Sequence, residues 1–439
     1  MKKYLLSLAI ACTFLATGLT QNIQYIEYDL PNGLKVLLHE DHSTPIVAVS
    51  VMYHVGSKNE KPKRSGFAHF FEHLLFEGSE NIKRGEFDDY INKAGGFNNA
   101  NTWYDRTYYF EVLPSNQLAL GLWLESERML HAKVEQIGIE TQRQVVKEER
   151  RQRTDNQPYG RLLEETMKRL YKVHPYKSSV IGSMEDLGAA QEIDYQTFYK
   201  DFYRPDNAIL SIAGDIDIAQ TKELIDIYFK SIPKGKGEIQ RKFPQEPPIT
   251  REVRDTVYDN VQLPAVVYAY PIPAQGTKDF YAVKMLGMLL SQGESSRMQK
   301  IIVDEQQKAV FAGSFALELE DPGANICFGI GNMGVNVEEL DKSMDAIIAD
   351  VQKNLITAEE YQKLQNQVEN DFITANNKVA GIAESLANYE MYYGDAGLIN
   401  TELDRYRKVT REDIMAAANK YFKKSGRVVL YWLPNPQKP

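Results

Sequence analysis

The sequence predicts an α+β protein of two structurally similar domains, and three observations carry that expectation. A chain of 439 residues is too long for one ordinary core and suits two domains of roughly 200 residues each. Strand and helix patterns follow one another without regular β-α alternation, which favours mainly antiparallel sheets packed with helices. The second half then repeats the element order of the first, beyond a stretch at Pro233–Pro248 rich in Pro, Gly and charge that reads as a linker.

Taken in chain order, residues 1–21 stand apart. Lys2 and Lys3 precede an apolar stretch from Tyr4 to about Leu15 and then the small residues Ala16, Thr17 and Gly18, the make-up of a secretory signal peptide. The protein is therefore expected to be exported, either periplasmic or secreted. Ala9-Ile10-Ala11-Cys12 offers lipid attachment at Cys12 as the alternative. An exported mature chain would carry Cys327 alone and form no internal disulfide.

The first domain is expected over 22–235. An alternating run from Tyr25 to Leu30 turns at Asn32-Gly33 and returns over Leu34 to Leu38. Ile46 to Val55 is a further strand. A helix from about Ser65 to Phe76 stops before Gly78, and a second from about Glu86 to Ala94 stops at Gly95-Gly96. Strands follow at Phe97 to Thr102 and Arg106 to Leu113. Ser115 opens a helix carrying Leu118, Leu122 and Met129, and a long helix from about Glu135 to Arg153 runs to the break at Asn156-Gln157-Pro158. Helices then alternate with one more strand, Ala208 to Ala213.

Residues 236–250 are the expected linker and 251–439 the second domain. Its elements are a strand pair near Val257 to Tyr270, a helix from Lys278, strands from Val310 to Gly331, long helices and a closing strand at Val428 to Trp432. Ile193 to Ala213 and Val409 to Leu433 both pass from a short helix through an aromatic pair into an apolar strand, a local echo that suggests duplication. No run after the leader approaches the roughly 18 apolar residues of a membrane span. The net charge of −9 argues against nucleic acid as a partner.

The chemistry concentrates in His69-Phe70-Phe71-Glu72-His73. On a helix, positions i and i+4 share a face, so His69 and His73 present two imidazoles to one metal with Glu72 beside them. Phe67, Phe70, Phe71 and Leu74 form a separate apolar stripe that anchors the helix to a core. Two imidazoles and a carboxylate suit zinc and leave its fourth position to a water. Glu72 is placed to take that water's proton as general base. The third ligand must come from elsewhere, and Glu140, Glu148 and Glu149 on the long helix are all candidates by spacing.

With these residues the sequence resembles the inverzincin peptidases of the pitrilysin type, relatives of insulin-degrading enzyme and mitochondrial processing peptidase, whose mark is the inverted H-x-x-E-H motif. The likeness extends through Asn32-Gly33-Leu34, Gly56-Ser57, the Gly95 to Tyr108 segment, His174-Pro175-Tyr176 and Asn207-Ala208 to Gly214-Asp215. It implies two domains of one fold that form half of a clamshell chamber. It also implies Glu149, in Val145-Val146-Lys147-Glu148-Glu149, as the third ligand of one zinc ion per chain.

By the same resemblance, Gly96 to Ala100 is an edge strand on which a peptide pairs, with Asn99 and Ala100 as contacts. Arg297, in Ser295-Ser296-Arg297, would grip substrate from the second domain. The chain departs from the family pattern at Gln142, where a second acid is usual, and at Phe311, where a tyrosine is usual. No histidine follows His174, so the second domain is expected to be catalytically silent. Family members of this length pair two chains, which implies a homodimer or a heterodimer with a related chain. The implied activity is endopeptidase cleavage of short or unfolded polypeptides. The alternative is a subunit that needs a partner chain for activity.

Overall fold

A computed structural model describes residues 22–436; the expected leader and Cys12 lie outside the described residues. Among the described residues eleven strands form two sheets. The first holds β1 (Ile26–Asp29), β2 (Lys35–Glu40), β3 (Ile46–Tyr53), β4 (Phe97–Thr102), β5 (Thr107–Pro114) and β6 (Ala208–Gly214) in the order β1-β2-β6-β3-β5-β4. The second holds β7 (Val253–Asp259), β8 (Ala265–Pro271), β9 (Ala309–Leu317), β10 (Ala324–Gly331) and β11 (Val428–Pro434) in the order β7-β11-β8-β10-β9.

Numbered from β2 and from β7, the two sheets share one strand order, first-fifth-second-fourth-third. In each the first and fifth strands are the parallel pair, β2 with β6 and β7 with β11, and the other neighbours run antiparallel. The domains are thus copies of one fold, with β1 added to the first. The echo read in the sequence falls on equivalent elements, the segments that end in β6 and β11.

Among the described residues eight α-helices belong to the first half: α1 (Phe67–Leu74), α2 (Glu86–Lys93), α3 (Leu118–Leu130), α4 (Gln136–Arg150), α5 (Leu162–Leu170), α6 (Met184–Ala189), α7 (Glu192–Phe202) and α8 (Ile218–Phe229). Six follow in the second: α9 (Lys278–Ser291), α10 (Val337–Lys353), α11 (Ala358–Ala375), α12 (Val379–Tyr393), α13 (Glu402–Arg407) and α14 (Arg411–Tyr421). The long helix expected from Glu135 to Arg153 ends at Arg150 and continues as a π-helical turn over Arg151–Asp155.

The central strands of each sheet are buried on both faces, which is why β3 and β8 read as nearly continuous apolar runs rather than alternating ones. One face of the first sheet packs on α1, α3, α7 and α8 through Val47, Val49, Val51, Phe70, Leu122, Phe198 and Ile225. Its other face is covered from the opposite half: Ile382, Ala383 and Leu386 of α12 lie against Leu37, Ala48, Met52 and Ile209. The exchange is reciprocal. Leu162, Met167 and Leu170 of α5 cover Val267, Ile326, Leu430 and Trp432 of the second sheet.

No helix or strand occurs between α8 and β7, yet that stretch is tied to the first half. Glu246 accepts the backbone N–H groups of Lys172, Val173 and His174, and Arg241 donates to the His54 carbonyl at 2.7 Å. A buried polar cluster adds a further tie between the halves. Lys58 lies 2.7 Å from Asp105 and 2.5 Å from Glu320, and the Glu320 N–H donates to Asp105 at 3.0 Å.

Candidate metal centre

Helix α1 is positioned from both ends. The Glu60 carboxylate accepts the N–H groups of Gly66 and Ala68 at 2.9 and 3.0 Å, satisfying donors that the first turn leaves free. Gly66 opens the helix at φ +89°, and a Cβ there would stand 2.7 Å from the Ile181 carbonyl oxygen, so the position requires glycine. The apolar stripe seats on α7: Phe67 stacks on Tyr195 with centroids 4.6 Å apart, and Phe71 meets Phe198 at 5.4 Å and Tyr203 at 5.1 Å. Tyr109 of β5 donates its hydroxyl to the Phe71 carbonyl at 2.9 Å.

On the other face of α1 the His69 and His73 rings stand 4.9 Å apart. The face of α4 that carries Gln142, Val146 and Glu149 turns towards them, and Val146 is fully buried in the core. Glu149 Oε2 reaches 3.5 Å from His69 Nε2 and 3.2 Å from His73 Nε2. His69, His73 and Glu149 each offer a ligand atom within 4.8 Å of the others. The alternatives on α4 point elsewhere. Glu148 accepts from Arg151 and Gln152, and Glu140 accepts from Arg143 and Gln144.

Glu149 Oε2 is buried and has no hydrogen-bond partner. Such an atom is costly unless something meets it, and here it faces two imidazole nitrogens. Burial, reinforced by the adjacent His73, pushes His69 down to about 4, so its ring is neutral near pH 7 and able to act as a ligand. Burial works against the Glu149 charge, but the His73 and His69 rings outweigh it and hold that carboxyl below its ordinary value. Two imidazole nitrogens and one carboxylate oxygen are a donor set that fits zinc.

Glu72 lies on the same turn, half-buried beside Thr102 of β4. Burial raises its carboxyl above the ordinary value, although Thr102 and His73 pull the other way. Gln142, at the position where the resemblance expects a second acid, donates to Glu77 at 2.5 Å.

The expected substrate contacts fall in two places. Asn99 and Ala100 lie on β4, the open edge of the first sheet, with the Ala100 N–H donated to the Asn99 side-chain oxygen at 2.8 Å. Arg297 does not join the cluster. Its guanidinium forks onto Glu360 at 2.8 and 3.0 Å and donates to Asp350 at 2.6 Å. Phe311 is exposed on β9 and packs on Phe328 with centroids 5.1 Å apart. Two residues of the site were not singled out from the sequence. Glu60 lies outside α1 and matches no short capping pattern, whereas Arg153 is signalled by its i+4 spacing from Glu149 and bonds it at 2.7 Å.

The fold and this donor set define a chain of the inverzincin type. The chain belongs to peptidase family M16. Residues 35–184 match the family model described as Insulinase (Peptidase family M16), and residues 194–368 match the Peptidase M16 inactive domain. It is 33% identical to the zinc protease PqqE of Helicobacter pylori over 408 residues, 92% of each chain. It is 23% identical to the mitochondrial-processing peptidase subunit beta of Blastocladiella emersonii over 433 residues, 96% of this chain and 91% of that one. A crystal structure of a protease from Helicobacter pylori superposes with a TM-score of 0.90 at 31% identity, covering 94% of this chain and all of that one.

Proposed function

We propose that the chain is a zinc-dependent endopeptidase acting on short or unfolded polypeptides, with His69, His73 and Glu149 holding one zinc ion and Glu72 serving as general base. The observation that carries this reading is the meeting of Glu149 Oε2 with both imidazole Nε2 atoms, directly beside Glu72. A zinc ion bound there supplies Lewis acidity towards the scissile carbonyl.

The chain's own residues do the rest. Glu72 takes the proton of the attacking water and returns it to the leaving amine nitrogen, and burial brings its basicity closer to working pH. A substrate in extended form adds as a strand to β4, with the Ala100 N–H passing from the Asn99 side chain to a substrate carbonyl. In this reading 22–235 is the catalytic domain, 236–250 the linker and 251–439 the silent domain. The leader residues direct export. Among the described residues no helix is long and apolar enough to cross a membrane.

A second reading, a subunit that needs a partner chain, draws support from Arg297 and Phe311. The arginine is held by Glu360 and Asp350, and phenylalanine stands where the family usually has tyrosine. A dimer with a related chain would then complete the grip on substrate. The test is cleavage of an unstructured peptide library by the purified mature chain, before and after chelation and with zinc restored. Cleavage that is lost on chelation and returns with zinc supports the enzyme; stoichiometric zinc without cleavage points to the partner-dependent reading.

A further inference from the structure

We infer that Arg153 is a specificity-determining residue that receives a carboxylate of the substrate close to the scissile bond; this rests on the peptidase reading above. Arg153 sits on the π-helical turn Arg151–Asp155, a departure from α geometry of the kind found frequently at functional sites. The turn is anchored from below. Arg150 is buried, pairs with Asp155 at 3.3 Å and Glu164 at 3.1 Å, and donates to the Gly182 carbonyl. Arg151 is committed to Glu148 at 2.9 Å. Arg153 instead projects to solvent with 77% of its side chain exposed, and among the described residues its ion-pair partner is Glu149 Oε1, at 2.7 Å.

One carboxylate therefore separates the Arg153 guanidinium from both imidazoles, since the other oxygen of Glu149 faces His69 and His73. The charges around this point do not balance once a divalent ion is held there. Glu149 and Glu72 are the carboxylates beside the imidazoles, Glu77 one turn further on being paired with Arg84, and together they offset the dication alone. The Arg153 charge is left over. A guanidinium has five N–H donors in a planar fork, and Glu149 meets it through Nη1, so its remaining N–H groups can donate to a second carboxylate. An acidic side chain flanking the cleaved bond and a free C-terminal carboxylate share this chemistry.

The test uses the zinc-loaded mature chain and unstructured peptides with one cleaved bond. One set exchanges Glu for Gln at each flanking position, and another exchanges a free C-terminus for an amide, which distinguishes side chain from terminus. Wild type is expected to favour the carboxylate member of one set by about 3- to 5-fold in kcat/KM, the range of a partly screened ion pair. The preference should vanish in Arg153→Met and turn towards Lys-containing peptides in Arg153→Glu, with zinc content measured in each. Fluorescence anisotropy of the same pairs bound to Glu72→Gln gives the same comparison without turnover.

An acid-to-amide ratio that is the same in wild type and Arg153→Met, in both cleavage and binding, overturns the inference while leaving the peptidase reading intact. Failure of wild type to cut any peptide counts against the peptidase reading, and the binding pairs then still decide the role of Arg153.

Discussion

Glu149 Oε2 stands 3.2 Å from His73 Nε2 although the two residues are far apart in the chain, because α4 lays the face carrying Val146 and Glu149 against α1. Glu149→Gln keeps the shape of that side chain and removes its charge. Groups that merely orient a ligand already cost ~10–100-fold in metal affinity, so this change is expected to weaken zinc binding by more than about 100-fold. Glu148→Gln, on the outward side of the same helix, should leave it unchanged. A competitive zinc titration of both variants makes the comparison, and equal affinities would remove Glu149 from the ligand set.

Glu60 ties the N-terminus of α1 to the preceding loop through two backbone N–H groups. Glu60→Ala leaves both donors without a partner in an enclosed site and is expected to cost about 1–2 kcal/mol, the scale of a lost helix cap. The decrease should appear in denaturant unfolding together with weaker zinc binding, because the turn it anchors precedes His69 directly. A stable variant with intact zinc affinity would show that α7 alone positions the helix.

Lys58 and Asp105 are both buried, 2.7 Å apart. Lys58→Met removes one partner of a buried pair and strands the other, which is expected to destabilise the chain by about 3–5 kcal/mol. Chemical denaturation of wild type and variant measures it. A loss below about 1 kcal/mol would mean that water reaches Asp105.

Glu320 brings a pH dependence to the same cluster. Burial disfavours its charge, but His54 and Lys58 outweigh that and hold its carboxyl down at about 2. The folded value lies below the unfolded one of roughly 4.3. Its contribution is therefore complete above the unfolded value and is lost as pH falls from about 5 towards 2. Glu320→Gln should flatten that acid limb by about 1–2 kcal/mol, a figure reduced for the partial exposure of the side chain. Unfolding curves at a series of pH values check it, and an identical limb in the variant would contradict the assignment.

The parts of this molecule legible in the sequence are those set by local physics. The stripe Phe67, Phe70, Phe71 and Leu74 announces α1, and the i, i+4 imidazoles with Glu72 announce what its other face can do. The repeated element order anticipates two copies of one fold. Strand order and the exchange of α5 and α12 between sheets are not legible, because an apolar helix face does not encode which sheet it covers. Choosing among Glu140, Glu148 and Glu149 needed the resemblance for the same reason: all three share a helix, and the face that turns towards α1 is set by tertiary packing. Arg297 illustrates the converse, since its neighbours in sequence give no hint of the fork onto Glu360.

The most direct test of the central claim is to measure zinc content and peptide cleavage for the wild-type mature chain beside Glu72→Gln. Equal zinc in both proteins with cleavage reduced by ~10²–10⁴-fold in the variant is the predicted result. Undiminished cleavage by Glu72→Gln, or a wild-type chain that binds no zinc, would contradict the assignment of this site.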